Sequence, residues 1–305
     1  MKSRMSTGDR VFVICNTIFM LFVIFIMLYP FLNTLAVSLN EANDSLRGGI
    51  YLWPRIFTLN NYKRIFENEL LLIAARNSVA RTLIATAAGL FFSATAGYVL
   101  SRQEFVFNKI VTIYFLLTMY VSAGLIPTYF LYRQFGLINS FNVYWVPTLL
   151  SAWNIIIIRT YMQGLPDSLV EAARIDGAGE FRTYIQIILP ICKPVLATVA
   201  LWIAVGSWNS WFDTFIYTFG KDQERLTTLQ YEMMKILSTA ISQMSNRDPN
   251  AAAVAAQAGG GVSNTITPVA IRATITIVAS VPILCVYPFL QKYFVKGVHM
   301  GSVKG

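Results

Sequence analysis

The most suggestive spacing of chemically active residues lies in a polar, charged segment set between two apolar runs. Ser168 is followed three residues later by Glu171, which matches a capping box. In that pattern the serine hydroxyl accepts a hydrogen bond from a backbone amide in the first turn of the helix. The glutamate carboxylate in turn accepts one from the backbone amide of the serine. We therefore expect a helix to begin at Ser168 or Leu169. Gly177 after Asp176 is a natural stop, because glycine accepts the left-handed conformation that ends helices.

The expected helix is short and narrow. Ala172 and Ala173 favour helix formation, and their small side chains keep the helix narrow. Its two turns are about 12 Å long. A second helix is expected over 180–189, and Pro190 and Pro194 then break or bend the chain. The chemistry predicted for this segment is docking, in which a helix protruding from a membrane transmits movement.

A second group of polar and aromatic residues lies inside apolar runs, where polar side chains are costly and often functional. Aromatic faces beside amides and carboxylates suit a sugar, which has apolar C–H faces and a ring of hydroxyls. These residues could line a sugar pathway or could have a structural role. Tryptophans near span ends often anchor a helix at the membrane interface, and asparagines within spans often bond neighbouring helices. The candidate pathway residues are Trp153, Asn154, Trp208, Asn209, Trp211 and Asp213.

The sequence lacks the motifs of nucleotide binding and of common catalytic or metal sites. No Gly-Lys is followed by Ser or Thr with the upstream glycine of a Walker sequence. Cys15, Cys192 and Cys285 have no paired spacing and fall in or beside apolar segments, as small buried hydrophobes do. The one histidine, His299, cannot form a histidine-rich metal site alone. We expect no bound cofactor, no metal and no catalysis.

The composition is that of a membrane protein. The chain has 305 residues, of which 55% are hydrophobic and 13% charged, and its mean hydropathy is +0.55. An average soluble domain has about 25% charged residues. The net charge of +9 is scattered between apolar runs, so attraction to anionic lipid head groups explains it better than nucleic acid does.

The apolar runs predict an all-helical protein with six spans. The predicted spans are 11–37, 82–100, 110–132, 143–162, 195–217 and 267–293. The basic residues 1–10 place the N-terminus in the cytoplasm, and six spans return the tail 294–305 to that side. The docking segment 163–194 then lies in the cytoplasm as well. Lysine and arginine are divided evenly between the two sides, so the orientation depends on the N-terminus and on the docking segment.

Three further features distinguish individual spans and loops. The second span is rich in small residues, which allow close helix contacts in lipid. The third is interrupted by Gly124 and Pro127. The outer segment 219–266 contains an insert, 238–266, whose piece 250–261 is low in complexity and is expected to be poorly ordered.

The docking segment resembles the EAA loop of permease subunits of bacterial ABC importers. The matching positions are Glu171, Ala172, Ala173, Asp176, Gly177, Ala178, Ile187, Leu189 and Pro190. The extended form through Asp176-Gly177-Ala178 resembles the carbohydrate-uptake, MalG-like branch. The tail from Gln291 to Gly305, together with Val286-Tyr-Pro-Phe-Leu290, resembles the LplC-type permeases of that branch. The resemblance covers most of the chain, and the insert 238–266 is its least typical part.

The resemblance implies a function and a set of partners. The chain would be the permease subunit of a plasma-membrane importer that moves a carbohydrate, an oligosaccharide, by alternating access. It implies a second, homologous permease, two ATPase subunits that use ATP and Mg²⁺, and an extracytoplasmic solute-binding lipoprotein. Ser168 to Gly177 would enter a cleft on the ATPase, with Glu171 ordering the helix. The tail 297–305 would also contact the ATPases.

Two other classes of protein remain as alternatives. An ion-coupled secondary transporter usually has buried carboxylates and internal repeats, whereas Asp213 is the one acid in a predicted span. A polytopic membrane enzyme would show acids or histidines clustered at one membrane face.

Overall fold

Helices make up most of the part that the computed structural model describes, residues 7–245 and 267–301. Within these residues, Asn40 and Phe57 form an isolated antiparallel bridge. Three helices have more than thirty residues: α1 (Thr7–Ser38), α4 (Glu69–Ser101) and the last helix, α15 (Pro268–Gly301).

The remaining helices are shorter. They are α2 (Ala42–Ser45), α3 (Asn60–Glu67), α5 (Asn108–Tyr120), α6 (Leu125–Gln134), α7 (Ala152–Gln163), α8 (Ser168–Ile175), α9 (Glu180–Thr183), α10 (Leu189–Ile191), α11 (Lys193–Asn209), α12 (Phe212–Tyr217), α13 (Lys221–Leu226) and α14 (Leu229–Ser245). Two 3₁₀ turns, Phe141–Tyr144 and Val146–Thr148, precede α7, and a π turn, Tyr184–Ile188, follows α9.

Four helical segments of the described chain are long and apolar enough to cross a membrane. They are Thr7–Ser38, Glu69–Ser101, Phe141–Gln163 and Val269–Val286. A fifth candidate is the pair Glu180–Ile191 and Lys193–Asn209, which is bent by 80°. The four segments correspond to the predicted first, second, fourth and last spans. The bent pair contains the start of the predicted fifth span, whose remainder is the separate helix α12.

The predicted third span is two helices, α5 and α6, with a break between them. Gly124, the residue before α6, has φ +81°, a conformation that L side chains rarely adopt. The interruption expected at Gly124 is therefore present, whereas Pro127 lies inside the first turn of α6, where proline is tolerated.

Several sequence predictions concern residues that the structure does not describe. The low-complexity piece 250–261 lies wholly outside the described residues, as does the insert beyond Ser245. The first six residues and 302–305 also lie outside them. The backbone of α15 continues past the predicted end of its span, as far as Gly301.

The chain forms two compact units. One contains the described residues up to Asn68 and from Lys235 to Ser280, and the other contains Glu69–Met234 and the described residues from Val281 onward. In the first unit, Asn40 donates to Asp44 Oδ2 and Ser45 Oγ, each at 3.0 Å, and the Ile56 amide donates to Asn40 Oδ1 at 2.9 Å. Asn40 thereby fixes the fold of the segment that follows α1.

In the second unit, α4 packs against α7 and α11 through a stripe of small residues. Its buried positions recur every fourth residue at Ala85, Gly89, Ser93 and Gly97. A Cβ on Gly97 would lie 2.9 Å from Ile158 Cγ2 on α7, closer than real contacts allow. The close helix approach predicted for this small-residue span is confirmed.

Candidate functional site: the docking segment and the polar break

Helix α8 has one face in the core and one outside it. Val170 and Ala173 are buried, and Val170 joins the apolar cluster that also contains Ile158 and Ile188. The side chain of Ile175 is 86% exposed. Helix α8 therefore has one face packed in the core and one face that another protein can reach.

Two further exposed positions complete the outer face. Glu171 and Ala172 are both exposed, beside the buried Ala173. The structure thus places Glu171 and Ala172 where a partner can reach them, and uses Ala173 for packing within the chain.

The start of α8 agrees with the prediction, but the capping box does not form. The helix begins at Ser168 with Asp167 as its N-cap, and no side chain caps it. The carbonyl of Pro166 accepts from the Leu169 amide at 3.2 Å, and that of Asp167 accepts from the Val170 and Glu171 amides at 2.9 and 3.1 Å. Because backbone carbonyls already satisfy these amides, the Ser168 hydroxyl is not needed as an acceptor.

The end of α8 is a complete Schellman motif. The Ala178 amide donates to the Ala173 carbonyl at 2.9 Å, and the Gly177 amide donates to the Arg174 carbonyl at 3.0 Å. Gly177 has φ +74°. The predicted glycine stop after Asp176 is therefore confirmed, and the helix has eight residues.

The second half of the segment is helical but not regular. The expected helix over 180–189 is α9, the wide π turn and α10 in succession. Leu189 packs against the apolar cluster, whereas Pro190 is exposed. The chain bends by 80° at Cys192, and Pro194 stands in the first turn of α11. The bend expected from the two prolines is present.

Arg174 connects α8 to its neighbours on both sides. Its guanidinium lies 2.8 Å from Glu104 Oε1 in the loop after α4 and 2.9 Å from Glu180 Oε1 at the start of α9. Hydrogen bonds to its own backbone amide and to Arg174 lower the pKa of the Glu104 carboxyl. The hydrogen bonds to Glu180 and Glu104 raise the pKa of the Arg174 guanidinium.

A polar cavity of about 320 Å³ lies beside this ion pair. Charged residues from the loop and from α8 line it, among them Arg102, Glu104, Asp167, Glu171 and Arg174. The docking segment therefore presents both an exposed apolar residue, Ile175, and a charged recess.

The predicted pathway residues of α7 lie near its start. Trp153 is 53% exposed, with its ring centroid 6.4 Å from that of Trp202 on α11. Asn154 is buried, and its amide donates to the Ser151 hydroxyl at 3.5 Å. The backbone contact makes Asn154 part of the helix cap.

The other four predicted pathway residues lie at the end of α11, in the break before α12 and in the first turn of α12. Trp208 is buried against an apolar cavity, and the exposed Asn209 accepts from Gln230 Nε2 at 3.1 Å. Trp211 is half-buried, with its ring centroid 5.7 Å from that of Phe212.

Asp213 has a partner that the sequence interpretation missed. Its carboxylate pairs with the guanidinium of Arg81, which is only 2% exposed. Arg81 also donates to the Ser210 carbonyl at 3.2 Å and lies 4.6 Å from the centroid of the Tyr144 ring. The predicted second span starts at 82, one residue after Arg81, but α4 begins at Glu69 and includes Arg81. The four-residue recurrence that continues from Arg81 to Ala85 and Gly89 is the signal that identifies it as inward-facing.

Further polar side chains fix the chain that follows α12. Asn77 Nδ2 donates to the carbonyls of Arg225 and Thr227 at 2.8 and 2.9 Å. The Tyr144 hydroxyl donates to the Leu226 carbonyl at 2.6 Å, and the Leu229 amide donates to the Ser78 hydroxyl at 2.9 Å. One end of α4 is thereby joined to the α13–α14 connection by side-chain hydrogen bonds.

Metal-ligating side chains do not gather anywhere in the described chain. No group of three or more His, Cys, Asp or Glu residues there has the geometry to hold an ion.

Comparison with known proteins finds relatives along the whole chain. It is 33% identical over 298 residues to Protein LplC of Bacillus subtilis, covering 98% of this chain and 96% of LplC. It is 30% identical to the polygalacturonan/rhamnogalacturonan transport system permease protein YtcP of the same organism, covering 94% and 96%. No protein-family model matches the chain.

The fold also matches a solved structure. One chain of a bacterial ABC transporter involved in the import of the acidic polysaccharide alginate superposes with a TM-score of 0.81. The match covers 96% of this chain and all of that chain at 24% identity. The likeness establishes the helical architecture.

Proposed function

The chain belongs to the permease subunits of ABC carbohydrate importers, and we propose that it moves an oligosaccharide into the cell by ATP-driven alternating access. It is a multi-pass membrane protein. YtcP is named for polygalacturonan and rhamnogalacturonan, and the relative AraQ, 27% identical, for arabinooligosaccharides. These names support an oligosaccharide as the substrate class.

The observation that carries the proposal is the geometry of α8. It is a short helix with an exposed face, a buried face and a rigid glycine stop, and Arg174 ties it to two neighbouring segments. Closure of an ATPase pair would pull this helix, and the ion pairs would pass the motion to α4 and α9. Ser168, Glu171, Ala172, Asp176 and Gly177 provide the contact surface.

The remaining coupling positions act within the chain. Ala173 lets α8 approach the core, Ala178 completes the Schellman motif, and Leu189 with Pro190 sets the path into the bend at Cys192. A shift of α8 would therefore reach α11 through the bent pair.

The proposal includes three kinds of protein partner. They are a second homologous permease, two ATPase subunits that bind ATP and Mg²⁺, and an extracytoplasmic solute-binding lipoprotein. A solved relative is described as an alginate ABC transporter in complex with a pentasaccharide-bound periplasmic protein, which supports the last of these. The chain itself takes no catalytic part.

We also propose that both termini and α8 face the cytoplasm and that the tail 297–305 contacts the ATPases. In this orientation the substrate would enter the protein at the outer ends of the helices. Trp208 and Asn209 at the end of α11 and Trp211 in the break before α12 are candidates to line the path, as are Trp153 and Asn154 on α7. Asp213 positions the break through Arg81.

The test is purification of the chain in gentle detergent with mass spectrometry of the proteins that accompany it. The proposal expects an ATPase and a second permease, and ATP hydrolysis that rises when a sugar-loaded binding protein is added. A chain that is isolated alone and transports with an ion gradient but without ATP would be a secondary transporter instead.

A further inference from the structure

A cavity of about 280 Å³ lies in the first unit, apart from the docking segment and the break before α12. Its walls are the last turns of α1, the loop that follows α2, and the first turns of α15. The polar side chains that line it are Asn33, Thr34, Ser45, Arg272 and Thr276. In the proposed orientation these segments lie at the outer ends of their helices.

Arg272 is the single charged residue that lines this cavity. It lies one turn into α15 and inside the candidate span Val269–Val286. Its side chain is exposed, and no ion pair to it occurs among the described residues. Arginine is rare within a span, and there it usually marks a pathway and has a specific counter-ion.

The cavity face of α15 is set by helical spacing. Val269, Arg272, Ala273 and Thr276 recur at intervals of three and four residues, so they share one side of the helix. The cavity is also close to the N-terminus of α15, where the helix dipole adds partial positive charge. An anion is therefore the ligand that this wall would attract.

The opposite wall is held in place by Asn33. Its Nδ2 donates to the carbonyls of Ile50 and Tyr51 at 2.6 and 3.0 Å. This contact fixes the end of a loop in which Gly48 and Gly49 both have φ +69°. Neither glycine has an atom within 4 Å of where a Cβ would lie. The loop thus borders open space and leaves room for a ligand as bulky as a sugar ring.

We propose that this cavity binds the carboxylate of a uronic acid unit in the transported oligosaccharide, through the guanidinium of Arg272. The fork of an arginine matches the two oxygens of a carboxylate, and the hydroxyls and amide around it suit the sugar ring. The inference rests on the proposed transport of an oligosaccharide and narrows it to an acidic one.

The experiment measures uptake by the complete importer, reconstituted with its binding protein, of two probes. One is a trigalacturonate, and the other is the same trisaccharide with its carboxyl groups reduced to alcohols. The ratio of acidic to reduced uptake of each variant is compared with that of the unaltered complex at saturating binding protein. Any preference of the binding protein for one probe affects both ratios equally and therefore cancels.

Arg272→Gln is expected to lower the ratio of acidic to reduced uptake about tenfold, the effect of losing a charge-assisted hydrogen bond. Arg272→Lys keeps the charge but loses the fork, and an intermediate ratio is expected. Arg47→Gln is the matched control. Arg47 is exposed in the same loop but does not line the cavity, so its variant should keep the original ratio.

Three results would overturn the inference. Unchanged uptake of both probes by Arg272→Gln would show that Arg272 does not contact the carboxylate. An equal fall for both probes would assign Arg272 to a lipid phosphate or to helix packing. Uptake of the reduced probe alone by the unaltered complex would refute the carboxylate site and leave the proposed function standing. ATP-independent uptake would instead refute the proposed function.

Discussion

The guanidinium of Arg81 and the carboxylate of Asp213 form an ion pair between α4 and the start of α12, with the side chains 2% and 20% exposed. The pair closes the break after α11, because Arg81 also donates to the Ser210 carbonyl. The ring of Tyr144 covers the guanidinium. Residues that are far apart in the chain thereby fix the position of the polar break between α11 and α12, which lies near the proposed substrate path.

Asp213→Asn is expected to destabilise the protein by about 3 kcal/mol or more, because it leaves a buried guanidinium without a counter-charge. Thermal unfolding of the purified complex and the amount of chain in the membrane measure this effect. Asp222→Asn is the control, since Asp222 pairs with Arg225 at the surface at 3.4 Å, where a pair contributes about 0–1 kcal/mol. Normal assembly of Asp213→Asn with lost uptake would show that Asp213 lines the path.

Gly177→Val is expected to abolish transport while leaving membrane insertion intact. A β-branched residue at φ +74° costs roughly 1–2 kcal/mol and would unwind the Schellman motif that ends α8. Uptake and membrane content of the variant are the two measurements. Gly177→Asn should keep most of the activity, because asparagine tolerates this conformation. Normal uptake by Gly177→Val would refute the role of α8 as a rigid coupling element.

Arg174→Gln is expected to reduce the substrate transported per ATP hydrolysed, since it releases α8 from Glu104 and Glu180 together. Thermal stability should change little, because the pair is at the surface. The ratio of transport to hydrolysis in proteoliposomes measures the coupling. Arg182→Gln removes an exposed arginine of the same segment that bonds Gln186 instead. Equal effects of the two variants would argue against a specific role for Arg174.

The contact between Glu104 and Arg174 should be independent of pH near neutrality. The pKa of Glu104 in the folded protein lies below its ordinary value. Its carboxylate is therefore ionised and pairs fully with Arg174 above about pH 4.3, and the ion pair is lost as the pH falls through the lowered pKa. The coupling ratio measured between about pH 6 and 8 should therefore stay constant if this pair alone sets it. A titration within that interval would point to a different group.

Gly97→Val is expected to destabilise the second unit by about 1–3 kcal/mol, because its side chain would overlap Ile158 on α7. Adding Ile158→Ala to Gly97→Val should restore part of the loss. Gly206→Ala is the matched control, as a Cβ there meets no atom of this chain within 4 Å. Unfolding temperatures of the three variants test the prediction, and equal temperatures for Gly97→Val and the original chain would contradict it.

Local patterns in the sequence predicted the features that depend on neighbouring residues. The glycine stop at Gly177, the interruption at Gly124 and the bend near Pro190 and Pro194 each follow from backbone conformations that one residue favours. The small-residue stripe of α4 also appeared as a helical recurrence. These features need no knowledge of distant residues.

The features that sequence reasoning missed depend on tertiary contacts. The predicted second span begins at 82 and leaves Arg81 out, and its partner Asp213 is distant in the chain. The capping box at Ser168 failed because the preceding turn supplies backbone acceptors to the same amides. Arg272 carried no signal by itself, since only the fold brings it beside Asn33 and Thr34.

The pair of Arg81 and Asp213 also constrains how the protein is made. The two residues are 132 positions apart, so a ribosome synthesises α4 well before the acid that neutralises its arginine exists. Arginine within a helix costs about 2.5–3.5 kcal/mol at the bilayer centre on insertion scales. Newly made α4 therefore carries an arginine without its counter-charge until α12 emerges, and a chain truncated before residue 213 should be a substrate for membrane quality control.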